Sequence, residues 1–361
     1  MDEIKRIWLH NPKMDLKDYK LFGGKHIEAV IAGNDVNKIR NALDQKLTIF
    51  VSLHAFSAKA PFDREEYLCR DVDGKPHIWF GSPCPNKLPV MERFIENIEK
   101  VACIDGVEGV FLDGCRFASP CSSNNIEAFL TCFCPDCCRK CEDLGYDMDI
   151  IKRDVKTLHC LFSGFDSNIA TEIRCVRSKD DLFRILPGLR EWIEFRIACV
   201  NGFLELAREA VKKHSKDKKL CMYSFFPAIS LVVGQRYKDM REYVDLFSPM
   251  LYRRYNSPVG PACMDHEISR LVGLLSENPQ ISSKEAIQIV QSVTGFSLEG
   301  FNDAEDIMHG LQPFHVYEEA KRVIDEVASR RVVPIIMMED SDIPGHFYQL
   351  SKLGLDTVSF Y

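Results

Sequence analysis

Short runs rich in Val, Ile and Phe recur along the chain, and between them apolar residues fall at three- and four-residue steps. The first pattern suits buried strands and the second amphipathic helices, so their alternation predicts βα units on a parallel sheet. Eight strands are expected, at Ile4 to Leu9, Ile27 to Ala32, Leu47 to Leu53, Val107 to Leu112, Leu220 to Phe225, Val244 to Leu251, Val332 to Met338 and Leu355 to Phe360. Apolar stripes for helices run through Val36, Ile39 and Leu43, through Val90, Phe94, Ile98 and Val101, and from about Trp192 to Val211. Eight strands with helical connections predict an α/β fold, a (β/α)8 TIM barrel. An open doubly wound sheet is the alternative, but no Gly-rich phosphate fingerprint follows the first strand.

A barrel accounts for the 361 residues as one domain, 1–361. The strand spacing is unequal, which predicts long insertions after strands three, four and six. One is cysteine-rich, at about 114–150, and another helical, at about 260–329. Barrel active sites lie at the C-terminal strand ends, so these segments are expected to shape one side of a pocket. The sequence reaches Tyr361 at the end of strand eight with no outer helix remaining. Either an insertion or a second copy must cover that flank, and self-association is one expectation.

Lys and Arg number 46 against 53 Asp and Glu, a formal charge of −7. An acidic chain is a poor match for nucleic acid, whose binding rests on Lys and Arg neutralising phosphates. The longest apolar run, Val332 to Met338, has seven residues, far short of the roughly 18 that read as a membrane span. The charged start, Met1-Asp2-Glu3-Ile4-Lys5-Arg6, lacks the features of a signal peptide, so a soluble, cytoplasmic protein is expected. Fifteen cysteines cannot all pair within one chain. In a reducing compartment scattered cysteines are packing residues and clustered ones suggest a metal.

Such a cluster is present. Phe129 to Lys140 contains Cys132, Cys134 and Cys137 as C-x-C-x-x-C, with Cys138 and Cys141 close by. Structural zinc takes four N/S ligands. Cys84, in the Pro-rich loop after strand three, is the preferred fourth ligand, with Cys115, Cys121 and Cys138 as rivals. Cys132-Phe133-Cys134-Pro135-Asp136-Cys137, together with Cys84-Pro85-Asn86, resembles the zinc site of family-42 glycoside hydrolases, which are (β/α)8 β-galactosidases. Val107 to Phe117 and Val244 to Tyr252 resemble glycosidase-like barrels of the same broad clan. The resemblance implies a structural Zn2+ and a general acid/base at the end of strand four, here Asp113. It also implies a nucleophile at the end of strand seven, here Glu339. The family's strand four ends in Asn-Glu, where this chain has Leu112-Asp113.

Chemistry alone points to the same strand ends, because glycosidases use two carboxyl groups flanking the scissile bond. Asp340 and Asp342 are rivals to Glu339, although Asp342-Ile343-Pro344-Gly345 reads as a turn and N-cap. His10, Asn34, His54, Arg116, Tyr223, Tyr252, Arg253, Arg254 and Tyr361 also lie at strand ends. Polar groups and aromatic faces are what a sugar site requires. His54, Arg116, Tyr252 and Arg253 are the expected substrate contacts, and Trp79 is either a sugar platform or packing. These features predict a zinc-stabilised glycosidase acting on a small carbohydrate ligand. The alternative is a carbohydrate- or partner-binding barrel without the catalytic pair. A catalytic metal is disfavoured, because cysteine-rich tetrahedral sites leave no position for water.

Overall fold

A computed structural model describes residues 4–10, 21–22, 25–33, 39, 47–165, 167–254 and 263–361. Asn34 and the Val36 and Leu43 stripe positions lie outside them. Eight parallel strands, β1 (Arg6–His10), β2 (Lys25–Ala32), β3 (Thr48–His54), β4 (Val107–Asp113), β5 (Lys219–Phe225), β6 (Leu246–Met250), β7 (Ile335–Ile336) and β8 (Thr357–Phe360), pair in chain order. Pairing of β1 with both β2 and β8 closes the ring. This is a (β/α)8 barrel, and each expected run supplies one of its strands.

An aromatic layer fills the barrel interior. The Trp8 ring stacks on Phe50 at 5.0 Å, Phe50 meets Phe111 edge-on at 5.4 Å, and Phe111 stacks on Tyr223 at 5.0 Å. Ala29, Ile31, Cys221, Leu246 and Val333 complete this inner cluster. These residues sit at every second position of their strands, since side chains alternate between barrel and outer layer. Offset and edge-to-face rings contribute ~0.5–1.5 kcal/mol per pair beyond the area they bury.

The larger core lies between the strands and the helices. Helices α1 (Leu88–Ala102), α2 (Pro135–Asp143), α3 (Met148–Phe162), α4 (Ser167–Ile173), α5 (Lys179–Ile185) and α6 (Pro187–His214) precede β5. Helices α7 (Met264–Ser276), α8 (Ser283–Thr294), α9 (Ala304–Gly310) and α10 (Pro313–Glu326) separate β6 from β7, and α11 (Ile343–Ser351) follows β7. Their starts are local chemistry. Ser282 and Glu285 form a capping box on α8, and the Asp342 carboxylate accepts from Gly345 N–H at the start of α11.

Helix α6 spans 28 residues, about 42 Å at 1.5 Å per residue. Arg196, fully buried on it, donates to the carbonyls of Phe129, Thr131, Ala118 and Val232. One guanidinium therefore pins the start of the cysteine segment and two barrel loops to the same helix. Burial lowers its pKa to about 9, which leaves it charged at neutral pH. No helix among the described residues is long and apolar enough to cross a membrane.

Candidate functional site

Two groups of chemically capable side chains occur on the C-terminal side of the strands: a cysteine cage behind the barrel mouth, and a set of strand-end residues around Asp113.

The cage joins Cys84, from the loop after β3, to Cys132, Cys134 and Cys137, and all four are buried. Cys134 is the N-cap of α2 and Pro135 its first residue, so Cys137 turns back towards Cys134 within one helical turn. Cys84 Sγ lies 3.6 Å from Cys134 Sγ, 3.5 Å from Cys137 Sγ and 3.7 Å from Cys132 Sγ. Sulfurs bonded at about 2.3 Å to a tetrahedral zinc stand about 3.8 Å apart. The cage therefore fits a metal ion of that size with little movement. Two N–H donors support the thiolate form: Asn86 Nδ2 lies 3.3 Å from Cys137 Sγ, and Arg70 N lies 3.4 Å from Cys132 Sγ. The rival cysteines are committed elsewhere or simply packed. Cys138 donates to the Phe133 carbonyl, Cys121 donates to that of His266, and Cys115 is a core thiol. Cys69, brought in by a small hairpin, lies buried against Cys84 and Cys132.

At the mouth, His54 and Asp113 are register partners at the ends of β3 and β4, and Ala55 N–H donates to the Asp113 carbonyl at 2.7 Å. Gly114 follows with φ +71°, and a Cβ there would lie 3.1 Å from His54 Cε1. Glycine thus provides both the turn and the close approach of the imidazole. Burial raises the Asp113 pKa, with His54 and Arg116 pulling against it. Burial lowers the His54 pKa, and Asp113 opposes that shift. Desolvation thus disfavours the charged form of both groups, while their mutual attraction opposes it.

His10, at the end of β1, shares a 2.8 Å hydrogen bond between Nδ1 and Tyr223 Oη. Its pKa is pushed down to about 3 by burial, and its Nε2 has no hydrogen-bond partner. Tyr252 and Tyr361 stand 6.4 Å apart, and Tyr361 is half exposed.

Arg116 is only 4% exposed. Its guanidinium lies over the rings of Trp79, Phe80 and Phe225 and donates to Phe117 O and Ser122 Oγ. Trp79 itself is 1% exposed and packs. The partly exposed neighbour is Phe80, whose ring meets His54 edge-on at 5.1 Å. Its φ of +47° is unusual for an aromatic residue. Sequence reasoning overlooked Phe80 because nothing in Ile78-Trp79-Phe80-Gly81 marks which ring is turned outward.

The residues after β7 divide in an unexpected way. Glu339 is exposed in a turn closed by Asp340 N–H to Met337 O at 3.2 Å. Asp340 turns inward. It accepts from Arg253 Nε at 2.8 Å and Nη2 at 2.7 Å, and His346 Nε2 lies 3.0 Å away. Those partners hold the Asp340 pKa well below the carboxylate range, against its burial. Arg253 also donates to Leu311 O at 2.6 Å and is 3% exposed. It was expected as a substrate contact, but its donors are already taken by Asp340 and Leu311, and it locks the loop after β6 to the loop after β7. Another buried carboxylate went unforeseen: Glu267 on α7 accepts from Ser119 Oγ and Cys121 N–H and faces Arg116.

No family model and no curated protein matches the chain. Solved structures do. The glycoside hydrolase domain of PgaB (BpsB) from Bordetella bronchiseptica superposes with a TM-score of 0.56 at 11% identity, over 99% of this chain and 94% of that one. The fold is shared with glycoside hydrolases. A β-galactosidase from the haloarchaeon Halorubrum lacusprofundi aligns at TM-score 0.51 and 12% identity, over 99% of this chain and 52% of its own. A GH42 β-galactosidase from G. stearothermophilus aligns at 0.47 and 11%, over 100% and 51%. The chain spans about half the length of these β-galactosidases.

Proposed function

We propose that the chain is a glycoside hydrolase in which Asp113 protonates the leaving group and Glu339 supplies the second carboxylate. The observation carrying this reading is the desolvated Asp113 carboxyl beside His54, at the C-terminal end of the fourth strand of a fold shared with glycoside hydrolases. Of the three carboxylates after β7, Asp340 is consumed by Arg253 and His346 and Asp342 caps α11, whereas Glu339 has no ion-pair or hydrogen-bond partner among the described residues. Tyr223, Tyr252 and the unpaired Nε2 of His10 offer hydrogen-bonding groups for sugar hydroxyls, and Phe80 offers an apolar face.

In this reading Cys84, Cys132, Cys134 and Cys137 hold a structural zinc. The ion ties the loop after β3 to the segment after β4. All the chemistry on the sugar belongs to side chains at the mouth.

Screening chromogenic glycosides of both anomers tests the proposal. Asp113→Asn and Glu339→Gln should each cost ~10²–10⁴ in kcat on any substrate found, with folding unchanged. A second reading, a barrel that binds sugar without cleaving it, draws on the Asp340 lock, which removes the inward carboxylate after β7 from chemistry. Saturable oligosaccharide binding with no turnover of any glycoside would select it.

A further inference from the structure

An apolar cavity lies away from the barrel mouth. It has a volume of about 430 Å³ and is enclosed by α3, α5, α6, α7, α8 and the segment after β5. Leu158, Phe162, Leu189, Ile193, Leu275 and Val290 are among its walls, and none of His54, Asp113, Arg116 or Tyr252 lines it. Cavities of this size and lining are the usual form of small-molecule sites. The cavity opens to solvent on the side of Lys179, Asp180 and Arg190, which are exposed.

Two further observations define the occupant. Four basic residues line the cavity, Lys179, Arg190, Arg236 and Arg322, against two acidic ones, Asp180 and Glu194. Three of these four cations meet a carboxylate, which leaves Lys179 as the unpaired one among the described residues. Arg236 is paired with Glu194, and Arg322 with Glu319. Lys179 and Arg190 are exposed; Lys179 has no partner among the described residues, and Arg190 meets Asp180 only at 3.5 Å. The second observation is Trp192, in the wall and 3% exposed, whose Nε1–H has no acceptor. Buried donors are normally satisfied, so this one marks a place for an acceptor the chain does not provide.

We infer that this cavity binds a single-chain amphiphile, with its hydrocarbon tail among the α3, α6, α7 and α8 side chains and an anionic carboxylate at Lys179 and Arg190. Taking roughly 30 Å³ per water-sized group, the volume holds on the order of fourteen non-hydrogen atoms, the size of dodecanoate. The inference is independent of the chemistry proposed for the mouth.

Isothermal titration of the full chain with dodecanoate, dodecanol and butyrate tests it, with Trp fluorescence as a second readout. Dodecanoate should bind one to one and shift the emission, dodecanol at least ten-fold more weakly, and butyrate without saturation. Lys179→Glu with Arg190→Glu, both at exposed positions, should weaken dodecanoate at least ten-fold while leaving dodecanol unchanged. Leu271→Trp, which fills the cavity from a partly exposed wall position, should abolish binding of both twelve-carbon ligands with circular dichroism unchanged. Absence of saturable dodecanoate binding would overturn the inference. So would binding indifferent to both variants, or flotation with anionic phospholipid vesicles by a chain that ignores free dodecanoate.

Discussion

Chelating the metal proposed for the cysteine cage should lower the melting temperature by an amount that follows from the size of the chain. An ion that binds only the folded state stabilises by RT ln(1 + [L]/Kd), about 4.1 kcal/mol when free zinc is a thousand times Kd. With about 2.1 cal/mol/K of unfolding entropy per residue, the 361 residues give about 0.76 kcal/mol/K, so the expected drop is about 5 °C. The cage geometry makes four-thiolate binding plausible without rearrangement, since the three Sγ separations from Cys84 are 3.5, 3.6 and 3.7 Å. The assay is scanning calorimetry of reduced protein before and after treatment with a strong chelator, with zinc measured by elemental analysis. Cys84→Ser should start near the chelated melting temperature and show no further response to chelator. Cys103→Ser, at an exposed cysteine, should behave as wild type. Reduced protein purified without added metal that holds no zinc, or a melting temperature indifferent to chelator, would refute the reasoning.

Three other outcomes are expected. In its proposed role Asp113 acts protonated and burial raises its pKa, so kcat/KM on any substrate found should fall as pH rises through that raised value, and Asp113→Asn should lack this alkaline limb in a pH–rate profile. Arg253→Met leaves Asp340 buried without its bidentate partner and should cost ~3–5 kcal/mol by chemical denaturation. The folded pKa of Asp340 is depressed, so the deficit should hold from neutral pH down to about pH 4 and close only in stronger acid. Phe80→Gly relieves the left-handed backbone of a bulky residue, a strain of ~1–2 kcal/mol, while removing its ring from beside His54. The lost ring contacts with His54 and Arg116 and the entropy of glycine offset that relief, so the melting temperature should stay within a few degrees of wild type, with a raised KM on any glycoside found to be cleaved.

The barrel was legible because its strands are buried on both faces and read as continuous apolar runs between helical stripes. Phe50 and Phe111 illustrate why: each sits mid-strand, flanked by aliphatic residues that face the helices, and alternation alone directs the two rings inward. The cysteine cage was legible for a different reason. Three of its four members lie within six residues, so local spacing largely determines their geometry. The neighbour Cys69 was not legible, because only the hairpin pairing Cys69 with His77 brings it against the cage. Nor was Arg196. On a helix an arginine reads as solvated, and only the convergence of four loop carbonyls reveals that it is a buried staple.

The residues after β7 show where such reading ends. Glu339 and Asp340 are chemically equivalent to any rule about strand-end carboxylates, and one turn hydrogen bond decides which points inward. The inward one is then claimed by Arg253, whose guanidinium a sequence reading assigns to substrate because it cannot see Asp340 behind it. That pairing fixes the loops after β6 and β7 against each other, next to Tyr252. A bidentate pair buried to 4% on each side does not open easily. The carboxyls left outside that lock are Asp113, in its desolvated setting, and Glu339, exposed to solvent, and the proposed chemistry draws on this pair. Burial raises the Asp113 pKa, so of the two it is the one suited to the proposed role of proton donor.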